Sequence, residues 1–180
     1  MNAAVKYTLA GIAAVILGFV SLGIIHPEIE YESRVQISAP VTKAFDIFID
    51  TSMMKHWMPG FVSFKPLEGK MLTKGSKQLL VLNLNNEQIE ITETVEDYSY
   101  PKFYKFHAQN TLLNSTNTII FEGDSIHCSL TVKTKASGNN FMLRSMFVFT
   151  EPIFKQQQDS TYTLLKRTIE SHLDNHNINQ

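Results

Sequence analysis

Between Phe61 and Ala136 apolar residues return at every second position through one stretch after another, and beyond Pro152 the spacing turns helical. A period of two marks strands with one buried face; a period of roughly 3.6 marks a helix with one buried stripe. An antiparallel sheet with one apolar face and a single long helix must bury those surfaces against each other. If the sheet curls round the helix, a hollow forms between them. The pattern therefore predicts an α+β chain in which one terminal helix packs on one antiparallel sheet.

The punctuation divides this plan into elements. "YESRVQISA" alternates, with Val35 and Ile37 on one face, and reads as a first strand. Pro40 opens a helix whose apolar positions are Val41, Ala44, Phe45, Phe48 and Ile49. "DTSMMKHW" restarts as a second, short helix with Asp50, Thr51 and Ser52 available as caps, and Pro59-Gly60 stops it. The strands "FVSFKPLEG", "SKQLLVLNLN" and "EQIEITETVEDY" follow, the last two joined at Asn85-Asn86. After Tyr100-Pro101 come "KFYKFHAQN", a strand over 116–122, a hairpin at Gly123-Asp124 and "SIHCSLTVKTKA". "FMLRSMFVFT" reads either as a last strand or as the start of the final helix. That helix carries the stripe Phe154, Gln158, Thr161, Leu165, Thr168 and His172. One domain is expected over 33–176, with a linker at 28–32 and a tail at 177–180.

Ahead of it, "YTLAGIAAVILGFVSLGII" runs from Tyr7 to Ile25 without a charge. A helix of that length rises about 28 Å, close to the thickness of a bilayer's hydrocarbon core. Lys6 precedes it, and Glu28, Glu30 and Glu32 follow it. Positive charge on the short side keeps that side in the cytoplasm, so residues 1–27 read as a single-pass membrane anchor with the domain extracytoplasmic. A cleaved signal peptide is the competing reading, with small residues at Ser21 and Gly23; the apolar run continues past that point through Ile24 and Ile25.

Several chemistries are excluded or left without support. A net charge of -1 and a pI near 6.6 give no electrostatic footprint for nucleic acid. The single cysteine, Cys128, rules out an internal disulfide and a thiolate metal cluster, and its alternation with Leu130 and Val132 points it inward. His172 and His176 stand four apart, but a favourable place near a negative helix end explains them without a metal. There is no G-x-S-x-G elbow and no glycine-rich phosphate loop, so no cofactor is expected.

The element order, together with "VQISAPVTKAFDIFID", "KHWMPG", "LEGKMLTKGSK", "ITETVEDYSYPKFYKF" and "TYTLLKRTIE", resembles the START/Bet v 1-like superfamily, also labelled SRPBCC or polyketide cyclase/dehydrase and lipid transport. The resemblance spans residues 33–170. It implies a helix-grip fold, with the second short helix at the mouth of a cavity beneath the C-terminal helix. Trp57, the only tryptophan, then belongs with Met58 to the rim or wall of that cavity, or else plugs one end of the core.

On this reading the cavity candidates are Phe48, Trp57 and Met58 near the mouth. Ile91, Glu93, Tyr104, Phe106 and Leu130 join them from the strands, and Thr161 and Leu165 from the helix. Glu93 shares the parity of Ile89, Ile91 and Val95. It is either a functional acid or an edge residue turned to water, since a buried carboxylate without a partner is costly. The leading function is membrane-anchored binding or transport of an apolar, lipid-like small molecule. The first alternative is a cyclase/aromatase-type enzyme using His107, Tyr104 or Glu93 as acid or base. The second is a protein-interaction module, disfavoured by polar outward residues such as Glu90, Thr92 and Lys133.

Overall fold

The computed structural model describes residues 2–177, with side chains for 2–175. In chain order the elements are α1 (Ala3–Ile25), β1 (Ile29–Ile37), α2 (Val41–Ile49), α3 (Met54–Trp57), β2 (Phe61–Glu68), β3 (Lys77–Leu84), β4 (Glu87–Ser99), β5 (Phe103–Gln109), β6 (Leu113–Gly123), β7 (Cys128–Gly138) and α4 (Phe141–Asn177). The strands form one antiparallel sheet ordered β1-β7-β6-β5-β4-β3-β2. This is the expected α+β helix-grip arrangement, with α2 and α3 inserted after the first strand.

Local chemistry explains where elements begin and turn. Asn85 and Asn86 take φ of 53° and 66°, the left-handed pair that a tight two-residue hairpin demands and that asparagine tolerates. The carboxylate of Asp124 accepts the backbone N–H groups of Ile126 (2.7 Å) and His127 (2.9 Å), so β7 starts at Cys128 rather than at Ser125. The side chain of Asn140 accepts the N–H of Leu143 at 2.9 Å and caps α4. That cap decides the ambiguous "FMLRSMFVFT" as helix. The stretch expected as linker, 28–32, is corrected as well: β1 begins at Ile29, which is buried and pairs with Ala136. Residues 178–180 of the expected tail and the side chain of His176 lie outside the described residues.

Aromatic rings fill the core between α2 and the sheet. Phe45 meets Phe121 at 5.1 Å between ring centres, Phe48 meets Phe121 at 5.5 Å, and Phe48 meets Trp57 at 5.8 Å. A shift in register between Val95 and Asp97 passes an extra residue, Glu96, along β4. The bulge re-aims the strand so that Tyr98 stands opposite Tyr104 and reaches the same core.

Polar pins seat α4 on β1 and β7. Gln158 donates to Ser33 Oγ (3.0 Å) and to the carbonyl of Val132 (3.2 Å), and accepts from Thr134 at 2.6 Å. Ser33 in turn donates to Asp159 at 2.5 Å. Lys166 reaches the Gln36 carbonyl at 2.7 Å, and Glu170 accepts the N–H of Ser38 at 2.8 Å. Beneath these bonds Leu165 and Ile169 are fully buried.

At the other end of the chain, α1 is 23 residues long with a mean hydropathy of 2.4 over its most apolar window, enough to cross a membrane by length and composition. A signal sequence meets the same criteria. Its last turns touch the domain: Phe19 stacks on Phe149 at 6.3 Å, and the N–H of Gly23 donates to Ser145 Oγ at 3.1 Å.

Candidate functional site: a cavity beneath the open flank of the helix

Between α3, the inner face of β4 and β5, and α4 lies a cavity of about 60 Å³. Phe48, Ile49, Met54, Trp57 and Met58 approach it from the helices before the sheet. Glu93, Tyr104, Phe106 and Ile119 line it from the strands, and Tyr162 from α4. Phe64 and the loop residues Met71 and Leu72 complete the wall. Leu72 holds φ at 61°, a region that leucine rarely enters, so the loop pays in strain to keep that side chain against the cavity.

One wall residue is out of character. Glu93 is only 7% exposed, and no hydrogen bond reaches its carboxyl among the described residues. Burial alone pushes its pKa from 4.5 to about 8, because the ionised form has lost its water. The group is therefore mostly protonated at neutral pH, and a modest change in surroundings ionises it. Burial, and then the charge of Glu93, raise the Tyr104 and Tyr162 hydroxyls further above the ordinary phenol value. Both stay protonated and act only as neutral hydrogen-bonding groups.

Two more polar atoms near this site lack partners among the described residues: Trp57 Nε1 and Gln78 Oε1. Gln78 pairs directly opposite Glu93 across β3 and β4, so the two side chains leave the same face of the sheet. Buried polar atoms in folded proteins are almost always satisfied. Trp57 and Glu93 line the same cavity, and Gln78 lies beside Glu93 in the sheet, so the unpaired polar groups fall on one side of the core.

Met58 belongs to a second hollow as well. A groove of about 540 Å³ runs between β3 and α4, walled by Pro59, Leu80, Leu82 and Leu84 on one side. Gln156, Gln157, Ser160 and Thr161 form its other side. Met58 thus lines both the cavity and this groove. The thioether side chain is flexible enough to move between rotamers at low cost.

The structure gathers Phe48, Trp57, Met58, Glu93, Tyr104 and Phe106 around the cavity, and places Thr161 in the adjoining groove. It leaves out Ile91, which pairs with Leu80 farther along the sheet. Leu130 and Leu165 sit in the solid core instead, fully buried. Of the two alternatives for Glu93, the edge residue turned to water is overturned. His107 shares the parity of Phe103 and Lys105 and pairs with Thr94 and Thr116 on the outer face, away from Tyr104 and the cavity. His172 lies with His56 and Asn175 in a separate polar cleft. Sequence reasoning missed Ile49, Met54, Phe64, Met71, Leu72, Ile119 and Tyr162; the apolar pair Met71-Leu72 inside the mostly polar "LEGKMLTKGSK" was the available signal for two of them.

No protein-family model matches the chain, and no curated protein matches it in sequence. Solved structures do match. Ara h 8.0201 superposes with a TM-score of 0.65 at 10% identity, over 80% of this chain and 99% of that one. The Zhui aromatase/cyclase from a Streptomyces species gives 0.65 at 11% identity, over 81% and 96%. TTHA0849 from Thermus thermophilus gives 0.65 at 11%, over 80% and 99%. The chain has the Bet v 1-like helix-grip fold. Helix-grip proteins this distant in sequence share architecture alone, so the activity has to be argued from the cavity.

Proposed function

We propose that this helix-grip domain binds a slender amphipathic molecule whose apolar body lies in the groove between β3 and α4 and whose polar end reaches Glu93 past Met58. The observation that carries this is Glu93: a buried, unpartnered carboxyl on the wall of an otherwise apolar cavity. The cavity as it stands has room for a few water molecules, against the roughly 300–1,000 Å³ of pockets that hold whole ligands. Binding therefore requires Met58 to swing aside and join the two hollows. Neutral Glu93 would donate to a carbonyl or hydroxyl oxygen of the guest, and Trp57 Nε1 offers a second donor. Residues 7–25 act in this proposal as an uncleaved single-pass anchor that keeps the domain outside the cytoplasm and beside a lipid reservoir.

Trp57 makes the test direct, because no other tryptophan contributes to the emission. Full-length protein in lipid vesicles would be titrated with fatty acids, isoprenols, sterols and aromatic ketones. A saturable shift in Trp57 emission with at least one class, weakened by Glu93→Leu and largely kept by Glu93→Gln, supports the proposal. An unresponsive tryptophan across the whole panel would sink it.

A second reading is favoured by one arrangement: Glu93 and Tyr104 share a cavity wall, the condition a cyclase-type acid or base would need. Glu93, titrating near neutrality, would move the proton while Tyr104 holds a carbonyl oxygen. In that case Glu93→Gln would retain ligand binding and lose product formation, whereas a pure carrier releases its guest unchanged.

A further inference from the structure

The first four turns of α4, Phe141 to Phe154, carry a surface that water does not suit. Met142, Met146, Phe149 and Ile153 follow one another along one exposed face of the helix, with Phe141 at its start. Met142 and Phe149 are each 62% exposed. Past Ile153 the same face turns polar, at Gln156, Gln157 and Ser160. Most of the sheet's outer face carries no such run.

This surface is continuous with α1. Phe19 stacks on Phe149, and Gly23 lies so close to α4 that a Cβ there would fall 2.5 Å from the Phe141 carbonyl oxygen and from Ser145 Oγ. Close approach through a glycine and a serine is how helices associate where no water is present. The contact also fixes depth. Six residues separate Phe19 from Ile25, a rise of about 9 Å. If α1 crosses the bilayer through residues 7–25, the turns of α4 that touch Phe19 and Gly23 must lie at the same level, within the outer leaflet. An interfacial helix buries its apolar face about 5–10 Å into that zone.

We infer that the start of α4 is a second membrane element, whose Phe141, Met142, Met146, Phe149 and Ile153 face enters the lipid beside α1. The occupant of this face is a bilayer, and the inference rests on α1 being an uncleaved span. Arg144 is compatible with that level, since its Nε donates back to the Gly138 carbonyl at 3.0 Å. One consequence concerns the proposed ligand. Gln156 and Gln157, at the border of the groove, follow the lipid-facing stripe by a single turn, so the groove would open at the membrane surface.

The test uses the full chain in vesicles of phosphatidylcholine and phosphatidylglycerol. Phe149→Cys, Leu17→Cys and Glu122→Cys variants carry an environment-sensitive fluorophore, and the wild type serves as the blank because Cys128 is buried. Brominated acyl chains quench from the lipid, and iodide quenches from water. The expected result is lipid quenching at Phe149→Cys within about twofold of that at Leu17→Cys, as for an interfacial helix, and iodide quenching only at Glu122→Cys. Iodide quenching at Phe149→Cys with lipid quenching at Leu17→Cys overturns the inference and leaves the anchor standing. Iodide quenching at Leu17→Cys removes both. Shielding of Phe149→Cys from both quenchers, with a disulfide-linked dimer of the unlabelled variant, assigns the face to a second copy and overturns the inference.

Discussion

The two flanks of α4 are held in different ways. Toward β1 and β7 the helix is pinned by hydrogen bonds from Gln158, Asp159, Lys166 and Glu170, above the buried Leu165 and Ile169. Toward β3 it stands off, and the gap is the groove of about 540 Å³. The same helix presents Gln158 to the pinned flank and Gln156 and Gln157 to the open one. Directional bonds on one side position the helix firmly enough that the other side can stay unfilled. A grip of this kind separates the flank that holds the helix from the flank that leaves space beside it.

The largest expected effect comes from the cavity beside the open flank. Folding raises the pKa of Glu93 from 4.5 to about 8, so the folded chain keeps a proton that the unfolded chain releases between those values. Stability from this group is fully present below pH 4.5 and is lost as pH rises through 8. Glu93→Gln should match the wild type near the acid end and exceed it above pH 8 by on the order of 5 kcal/mol, at about 1.4 kcal/mol per pKa unit. Urea unfolding across pH 5 to 9 measures this, and parallel curves for the two proteins would remove Glu93 from its buried place.

Next in size is the centre of the grip. Leu165→Ala deletes a side chain with no exposed surface and should cost about 3 kcal/mol by urea unfolding. A loss under about 1 kcal/mol would mean the interior collapses easily and is looser than its burial indicates. Smaller again is the contrast between neighbouring glutamines. Gln158→Ala leaves Ser33 and Thr134 short of partners and should cost about 1–3 kcal/mol, whereas Gln157→Ala should stay within about 0.5 kcal/mol. Equal costs would erase the distinction between the flanks. Met58→Ala, which removes a half-buried side chain lining both cavity and groove, is read in binding rather than in stability. Its signature is a lower concentration of apolar ligand needed to shift Trp57 emission; an unchanged titration would place the entry elsewhere.

Much of the fold was legible because strand and helix patterns are local. Asn85-Asn86 announced its hairpin, and Tyr104 and Phe106 announced a shared inward face. The site was legible only in part. Parity placed Glu93 among inward residues, but whether that face of the strand meets water depends on what covers it. Met71 and Leu72 come from a loop, where no periodicity exists to say which side chains turn inward. Tyr98 reaches the core only because one extra residue at Glu96 shifts the register, and such a bulge leaves no mark in composition.

By itself the sequence determined the order of strands and helices, the apolar α1 and the inward parity of Cys128, since each follows from the spacing of apolar residues along a few turns or one strand. Only the tertiary structure decided that Glu93 is buried in a cavity wall, that Met58 lines two hollows, and that the start of α4 lies against α1. Those outcomes depend on how residues far apart in the chain share volume and hydrogen bonds, and no stretch of sequence carries that information alone.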